Sequence, residues 1–255
     1  MTNSITYELP LNERIRTFLR LEGLFAQMSH FAQDDNQWHN RTELSCILDI
    51  FTILSRSDMK TEIIKEIERH RKSLAIFSQS PNVDREKLTQ SIDQLDHLDL
   101  KLSAMSGRFD QKVTQTDLLK ALNQRNSIPG GTCDFDLPAY HYWLNKPVQE
   151  RRSQITSWTE NIVYIRQAID LLLQFIRFSA APIETTAPAG LYQKNLSDYQ
   201  SAQLLRVFLP CESPFFAEIS GGKHRFTIRF MEPQETQRPV QTSDDVNFKL
   251  LICQI

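Results

Sequence analysis

Apolar residues recur three or four positions apart through most of the first 180 residues, a spacing typical of α-helices that bury one face. Charged and polar residues between them would face solvent. The pattern predicts a succession of helices in the first half of the chain, with apolar positions over Leu11–Met28, Ile47–Leu54, Ile63–Phe77 and Leu88–Met105, and a fifth helix before Pro129.

Residues that favour helix ends support these boundaries. Pro10 stands where the first helix can begin, and Pro81 is expected to end the third. Asp84 can cap the fourth helix, so the third and fourth helices are a candidate antiparallel hairpin. Thr114 and Asp117 have the spacing of a capping box for the fifth helix.

The clearest periodicity lies between residues 155 and 176. Apolar side chains alternate there by three and four, at Ile155, Trp158, Ile162, Ile165, Ile169, Leu172 and Ile176. Such a seam needs a helical partner, either inside a bundle or in a free coiled coil. Further apolar residues widen the surface beyond a two-stranded stripe and favour the bundle, namely Leu171, Leu173, Phe175 and Phe178.

The composition changes to Ala, Pro and Thr over residues 179–190, where we place the domain boundary. Strand signals follow over Leu204–Leu209, Phe215–Ile219, His224–Met231 and Val246–Cys253. Helices followed by strands, without alternation, indicate a segregated α+β fold. We therefore predict an N-terminal all-helical bundle domain, residues 1–180. A small, mainly antiparallel β domain is predicted over residues 181–255.

Composition limits the functional classes. The chain has 255 residues, 40 % hydrophobic and 24 % charged, which excludes disordered and multi-span membrane proteins. A net charge of -2 gives no overall attraction to nucleic acid or anionic lipid. The first ten residues show no cationic stretch followed by an apolar run, so a cytoplasmic protein without direct membrane insertion is expected.

Motifs for common chemistry are missing from the sequence. The chain contains no GxGxxG, GxxxxGK[ST], HExxH or GxSxG motif, and its six histidines are widely separated. The cysteines are also scattered, which predicts four reduced, mostly buried thiols, at Cys46, Cys133, Cys211 and Cys253. We therefore expect no catalytic residues, metal or cofactor. A hydrolase whose triad forms only in the folded chain stays open.

The predicted strand near residue 227 has strongly different faces, because alternate side chains of a strand point to opposite sides. Its inward positions are Phe226, Ile228 and Phe230. Its outward positions are Lys223, Arg225, Thr227 and Arg229. The two arginines would lie about 13 Å apart at roughly 3.3 Å per residue.

This cation row has three interpretations. Guanidinium groups bind carboxylates through paired hydrogen bonds, so the row could receive an extended acidic peptide. It could instead be a solvated face whose arginines pair with nearby Asp or Glu. Nucleic acid would also fit electrostatically, but the chain is mildly acidic and the aromatic residues alternate inward.

A second unusual segment covers residues 125–144. Pro129 and the two following glycines predict a tight reversal, and Asp136 with Pro138 can start a short aromatic-rich helix. A structural role is favoured. Alternatively, Arg125 or His141 borders the same peptide groove as the cationic strand.

Three separated segments carry a resemblance to a known family. They are YELPLNERIRTFLRLE at residues 7–22, SIPGGTCDFDLP at 127–138 and KHRFTIRFM at 223–231. They resemble the ZapD family of Z-ring-associated cell division proteins of proteobacteria, and the resemblance extends over nearly the whole chain. The resemblance implies a helical domain followed by a curved β domain, a homodimer and no enzymatic activity. It also implies binding of the C-terminal tail of FtsZ, the tubulin-like division polymer, and cross-linking of its filaments at mid-cell.

The resemblance also suggests the binding residues. In the family, a basic pocket of the β domain receives the tail, and the arginines of its RFxIRF motif correspond here to Arg225 and Arg229. The predicted tail-binding set is these two arginines with Lys223, Arg125 and His141. Residues 110–118 are less basic than the family leads us to expect, so no pocket residues are predicted there. From the residues alone, a nucleic-acid-binding regulator that uses the same strand remains the alternative.

Overall fold

The computed structural model describes most of the chain, namely residues 4–34, 36–56, 58–77, 84–105, 107, 109, 111–196, 202–222 and 224–254. The backbone divides into two compact units. The first, here called the helical unit, is residues 20–172. The second, the β unit, combines residues 1–19 with residues 173–255. The predicted α+β class, with helices first and an antiparallel β region after them, is confirmed.

Helices occupy most of the described residues up to Phe178. In chain order they are α1 (Glu13–Phe31), α2 (Gln37–Arg56), α3 (Met59–Phe77), α4 (Arg85–Ala104), α5 (Gln111–Gln115), α6 (Asp117–Arg125), α7 (Pro138–Leu144), α8 (Val148–Thr159) and α9 (Val163–Phe178). A 3₁₀ turn, Glu160–Ile162, joins α8 to α9. The division between the two units falls within α1 and α9.

The predicted hairpin of α3 and α4 is confirmed. Asp84 caps α4, because its Oδ1 accepts a hydrogen bond from the backbone N–H of Lys87 at 3.2 Å. Lys60, at the start of α3, donates to the backbone carbonyl of Ser103 at 3.3 Å and to that of Met105 at 2.6 Å. Ser103 and Met105 lie at the end of α4, so the two helices run antiparallel.

The predicted capping box is wrong. The residue before α6 is Thr116, which makes no side-chain capping bond, and α6 begins at Asp117. Thr114 instead belongs to the short α5, where its hydroxyl donates to the carbonyl of Gln111 at 2.9 Å. The Thr114 hydroxyl therefore makes its hydrogen bond within α5 and does not cap α6. Pro81, expected to end the third helix, lies outside the described residues.

The apolar seam of residues 155–176 is buried, and each of its seven side chains is at most 7 % exposed. This burial confirms the bundle interpretation. The 3₁₀ turn interrupts the helix within the seam. Near this turn, Trp158 stacks on Trp143 with ring centroids 5.8 Å apart, and Trp143 stacks on Tyr140 at 6.1 Å.

The β unit contains two antiparallel sheets. Its strands are β1 (Ser4–Pro10), β2 (Ile183–Ala187), β3 (Leu191–Asn195), β4 (Ala202–Pro210), β5 (Phe216–Gly221), β6 (Arg225–Glu232), β7 (Val240–Gln241) and β8 (Val246–Gln254). Sheet 1 has the order β1-β4-β8-β2. Sheet 2 has the order β3-β6-β5, and β7 also pairs with β6. The four predicted strands correspond to β4, β5, β6 and β8.

Two strands of sheet 1 were not predicted from the sequence. β1 lies at the beginning of the chain but pairs with β4, with Tyr7 opposite Val207. β2 lies within the predicted boundary segment and pairs with β8. Both are edge strands of sheet 1. An edge strand can have polar side chains and still gain ladder hydrogen bonds, so its sequence shows a weak strand signal.

The core of the β unit lies between the two sheets. Sheet 2 contributes the fully buried Phe226, Ile228 and Phe230 from β6. Sheet 1 contributes Phe248, whose ring centroid lies 4.9 Å from that of Phe230. Burial of these inward side chains fixes the register of β6 and therefore the direction of its outward side chains.

An ionic cluster ties β1 to α9 within the β unit. Glu8 accepts hydrogen bonds from Nε and a terminal nitrogen of Arg177 at 2.9 and 2.8 Å. The Nε of Arg206, opposite Glu8 on β4, lies 2.8 Å from the same carboxylate. All three side chains are mostly buried. Their pairing compensates for part of the cost of removing these charges from water.

Candidate functional site

The outward side of β6 forms an exposed surface that carries positive charge. Arg225 and Arg229 are exposed and Thr227 is half-buried, whereas Phe226 and Ile228 between them are buried. The predicted alternation is therefore confirmed. We call this surface the basic face. It consists of Arg225, Thr227 and Arg229 on β6 together with the residues opposite them on β3 and β5.

The strand register identifies the neighbours of each arginine, because residues directly opposite in an antiparallel pair share a face. Asn195 on β3 lies opposite Arg225. Arg229 lies opposite Leu191 on β3 and Glu218 on β5. The neighbours of Thr227 between them are polar, Gln193 and Ser220.

Both arginines are available to a ligand. Among the residues that the structure describes, no carboxylate oxygen lies within 4.0 Å of the guanidinium of Arg225 or Arg229. Arg177 and Arg206 of the same unit differ, since both contact Glu8. The described part of the chain therefore lacks the ion pairs expected if Arg225 and Arg229 belonged to a self-neutralised outer face.

Open space borders the Arg225 end of the basic face. The backbone N–H of Gly222 donates to the carbonyl of Arg225 at 3.1 Å, where the β5–β6 hairpin closes. A Cβ atom added at Gly222 would meet no heavy atom within 4 Å. Lys223, the remaining predicted residue of this strand, lies outside the described residues.

The other two predicted residues lie in the helical unit, where they pair with aspartates. A terminal nitrogen of Arg125 lies 3.2 Å from Oδ1 of Asp136. Nδ1 of His141 lies 3.1 Å from Oδ1 of Asp134. Both contacts hold the turn of residues 127–138 against the helices that flank it, which is the structural role favoured from the sequence. A contact of Arg125 or His141 with a peptide stays a prediction.

Arg41 on α2 completes this turn network and was not predicted from the sequence. Its guanidinium donates to the carbonyl of Thr132 at 3.1 Å and to Asp134 at 3.3 Å. It also lies over the rings of Tyr140 and Trp38, 5.0 and 5.6 Å from their centroids. Arg41 is far from the turn in sequence, so local patterns contain no signal for these contacts.

The described residues contain no group of three or more His, Cys, Asp or Glu side chains that could hold a metal ion. None of the described helices is both long enough and apolar enough to cross a membrane.

The four cysteines have free thiols, but only Cys46 and Cys253 are buried. The expectation of mostly buried thiols is therefore wrong for Cys133 and Cys211, which are exposed. Burial raises the pKa of the Cys253 thiol to about 12 and also raises that of Cys46. Both buried thiols therefore stay protonated and unreactive at neutral pH.

Comparison with known proteins identifies relatives that span the whole chain. The family model for the cell division protein ZapD matches residues 19–229, a range that contains both arginines of the basic face. A "Cell division protein ZapD" of Methylococcus capsulatus is 44 % identical over 253 residues, covering 99 % of each chain. The proteins of that name from Azoarcus sp. and Aromatoleum aromaticum are 36 % and 35 % identical, with at least 98 % of each chain covered. The chain belongs to the ZapD family of cell division proteins.

Proposed function

We propose that the chain is a non-enzymatic cell division factor that binds the C-terminal tail of FtsZ on the basic face. The observation that carries this proposal is the exposure of Arg225 and Arg229 without a carboxylate partner among the described residues. Membership of a family of cell division proteins supports it. As a dimer, the protein would cross-link FtsZ filaments and promote assembly of the Z-ring.

The geometry of the basic face suits an extended acidic peptide. Each guanidinium can hold a carboxylate through two parallel hydrogen bonds. Two such contacts, about 13 Å apart on one strand, match carboxylates about four residues apart on an extended chain. Between the arginines, the polar side chains of Gln193, Thr227 and Ser220 can bond the peptide backbone.

Bridging of filaments would follow from bivalency. A disordered tail loses conformational entropy when it docks, so a single site is expected to bind weakly. Two basic faces held in one dimer would each capture one tail, and tails on the same filament bundle reach a high effective concentration. Weak individual sites are then sufficient for cross-linking. Binding to the filaments would concentrate a cytoplasmic protein at the mid-cell division site.

The proposal is tested by removing both charges from the basic face. We expect the double variant Arg225→Ala, Arg229→Ala to fold and to dimerise as the wild type does, but to lose at least about tenfold in affinity for a labelled FtsZ tail peptide. Fluorescence anisotropy at low salt measures the affinity. Co-sedimentation with FtsZ filaments measures bundling, which the variant should also lose.

Arg238→Ala is a control, because it removes one positive charge from an exposed loop position of the same unit. It should leave tail affinity within about twofold of the wild type. Unchanged tail binding by the double variant would contradict the proposal. A gel shift with generic duplex DNA tests the alternative partner. DNA binding that depends on the two arginines, with no tail binding, would favour a nucleic-acid-binding regulator.

A further inference from the structure

The two arginines of the basic face have different electrostatic surroundings. Arg229 lies directly opposite the exposed Glu218 on β5, so their Cβ atoms are about 5 Å apart on the same side of the sheet. Arg225 has the neutral Asn195 opposite it on β3. On its other side lies Gly222, whose backbone N–H donates to the carbonyl of Arg225. Among the described residues, Arg229 therefore has a carboxylate beside it, whereas Arg225 has a neutral amide and open space at Gly222.

Glu218 points away from the core of the β unit. Its neighbour Ala217 is buried in the core between the sheets, and strand alternation then directs Glu218 outward, where it is exposed. Its carboxylate does not form an ion pair with Arg229 among the described contacts, although the two residues share a face. An anionic ligand that approaches Arg229 must therefore also approach a second negative charge.

We propose that Glu218 makes the two arginines unequal, so that Arg225 is the principal carboxylate contact and Glu218 limits the affinity at Arg229. This inference rests on the proposed function, in which an acidic peptide binds the basic face. Glu218 acts as a specificity-determining residue: it disfavours peptides with acidic residues along their whole length and favours those whose negative charge is concentrated near Arg225.

The first test removes the charge of Glu218. Relative to wild type, Glu218→Gln should bind a labelled FtsZ tail peptide about threefold more tightly, as expected for one exposed charge interaction. A labelled hexaglutamate peptide, which has a carboxylate at every position, should gain more than the tail peptide. Glu235→Gln is the matched control, because it makes the same change in net charge at an exposed bend and should change neither affinity.

The second test adds a carboxylate beside Arg225. Gly222 has no positive φ and has free space for a side chain, so Gly222→Glu should fold. We expect it to bind both peptides about threefold more weakly than its neutral control Gly222→Gln. Equal affinities of Gly222→Glu and Gly222→Gln would overturn the assignment of Arg225 as the principal contact.

A double-mutant cycle measures the coupling directly. Arg225→Gln should weaken binding more than Arg229→Gln in the wild-type background, and the difference should shrink when Glu218→Gln is also present. Tail affinity that does not change in Glu218→Gln, together with equal effects of the two arginine variants, would overturn the inference. The proposed function would survive that result, because the wild type would still bind the tail.

Failure of the proposed function can also be distinguished from failure of the inference. If the wild type binds hexaglutamate but not the FtsZ tail peptide, the proposed function fails. A tighter complex of Glu218→Gln with hexaglutamate would still support the inference. If the wild type binds neither peptide, both are overturned.

Discussion

The surface arginines of the basic face and those around the 127–138 turn differ in how their charge is used. In the β unit, Arg225 and Arg229 are exposed and have no carboxylate partner among the described residues. In the helical unit, Arg41 and Arg125 also lie at the surface, but each contacts an aspartate of the 127–138 turn. Each region has two such arginines, but only those of the basic face leave their charge available to a ligand.

This difference separates structural from binding arginines more reliably than sequence composition does. A paired arginine fixes its neighbours, and a competing ligand must first break contacts that stabilise the fold. An exposed arginine without a partner costs nothing in folding and contributes its full charge to binding. Removing a paired arginine, or its partner, should therefore reduce stability, and removing an unpaired one should reduce affinity.

The largest effect on stability is expected at the ionic cluster of the β unit. Glu8→Ala would leave Arg177 and Arg206 mostly buried without this carboxylate, which we expect to lower the free energy of unfolding by about 3 kcal/mol. Urea unfolding followed by circular dichroism measures the loss. Glu235→Ala, at an exposed bend, is the control and should change little. A loss below about 1 kcal/mol would show that the buried arginines do not depend on Glu8.

The next effect is expected in the turn network of the helical unit. Arg41→Ala removes the bonds to Thr132 and Asp134 and the contacts with two aromatic rings, so we expect a loss of about 2 kcal/mol. Denaturant unfolding is again the measurement. Arg41→Lys keeps the charge but not the planar fork, and should recover only part of the stability. Full recovery in Arg41→Lys would show that charge alone matters here.

Arg125 is expected to show a smaller effect, because its ion pair with Asp136 is partly exposed to solvent. Arg125→Ala should lower the free energy of unfolding by about 0.5 kcal/mol. It should also weaken tail binding less than Arg225→Ala does. Unfolding titrations and tail anisotropy on the same preparations compare the two losses. An affinity loss as large as that of Arg225→Ala would contradict the distinction between a structural Arg125 and a ligand-binding Arg225.

The smallest effect on stability is expected on the basic face itself. The double variant Arg225→Ala, Arg229→Ala should change the free energy of unfolding by no more than about 0.5 kcal/mol, since neither side chain has a described partner to lose. Tail binding by the wild type should weaken as ionic strength rises, because salt screens exposed charges. The slope of affinity against salt should be shallower in the double variant.

Local periodicity predicted much of the architecture. The helices and the strands β4, β5, β6 and β8 could be predicted because each buries one face or one stripe, and burial leaves a period in the sequence. The same reasoning gave the outward direction of Arg225 and Arg229. This prediction needed only the inward positions Phe226, Ile228 and Phe230, which lie between and beside the two arginines.

Long-range pairing was not predictable in this way. β1 and β2 gain their stability from partners far along the chain, and as edge strands they need no apolar period of their own. Glu218 stands in a segment that was predicted as a strand, so its outward direction could have been expected. Its position opposite Arg229 depends on the register of β5 with β6, which the pattern of a single strand does not contain.

The place of β1 in sheet 1 affects how this chain can fold during synthesis. Ribosomes add about 5–20 residues per second, so the residues of β1 emerge about ten seconds or more before those of β4. During that interval β1 has no strand to pair with, and Glu8 cannot yet contact Arg177 or Arg206. Sheet 1 also needs β8, which is translated last of its strands, so the sheet cannot be complete until β8 has been synthesised.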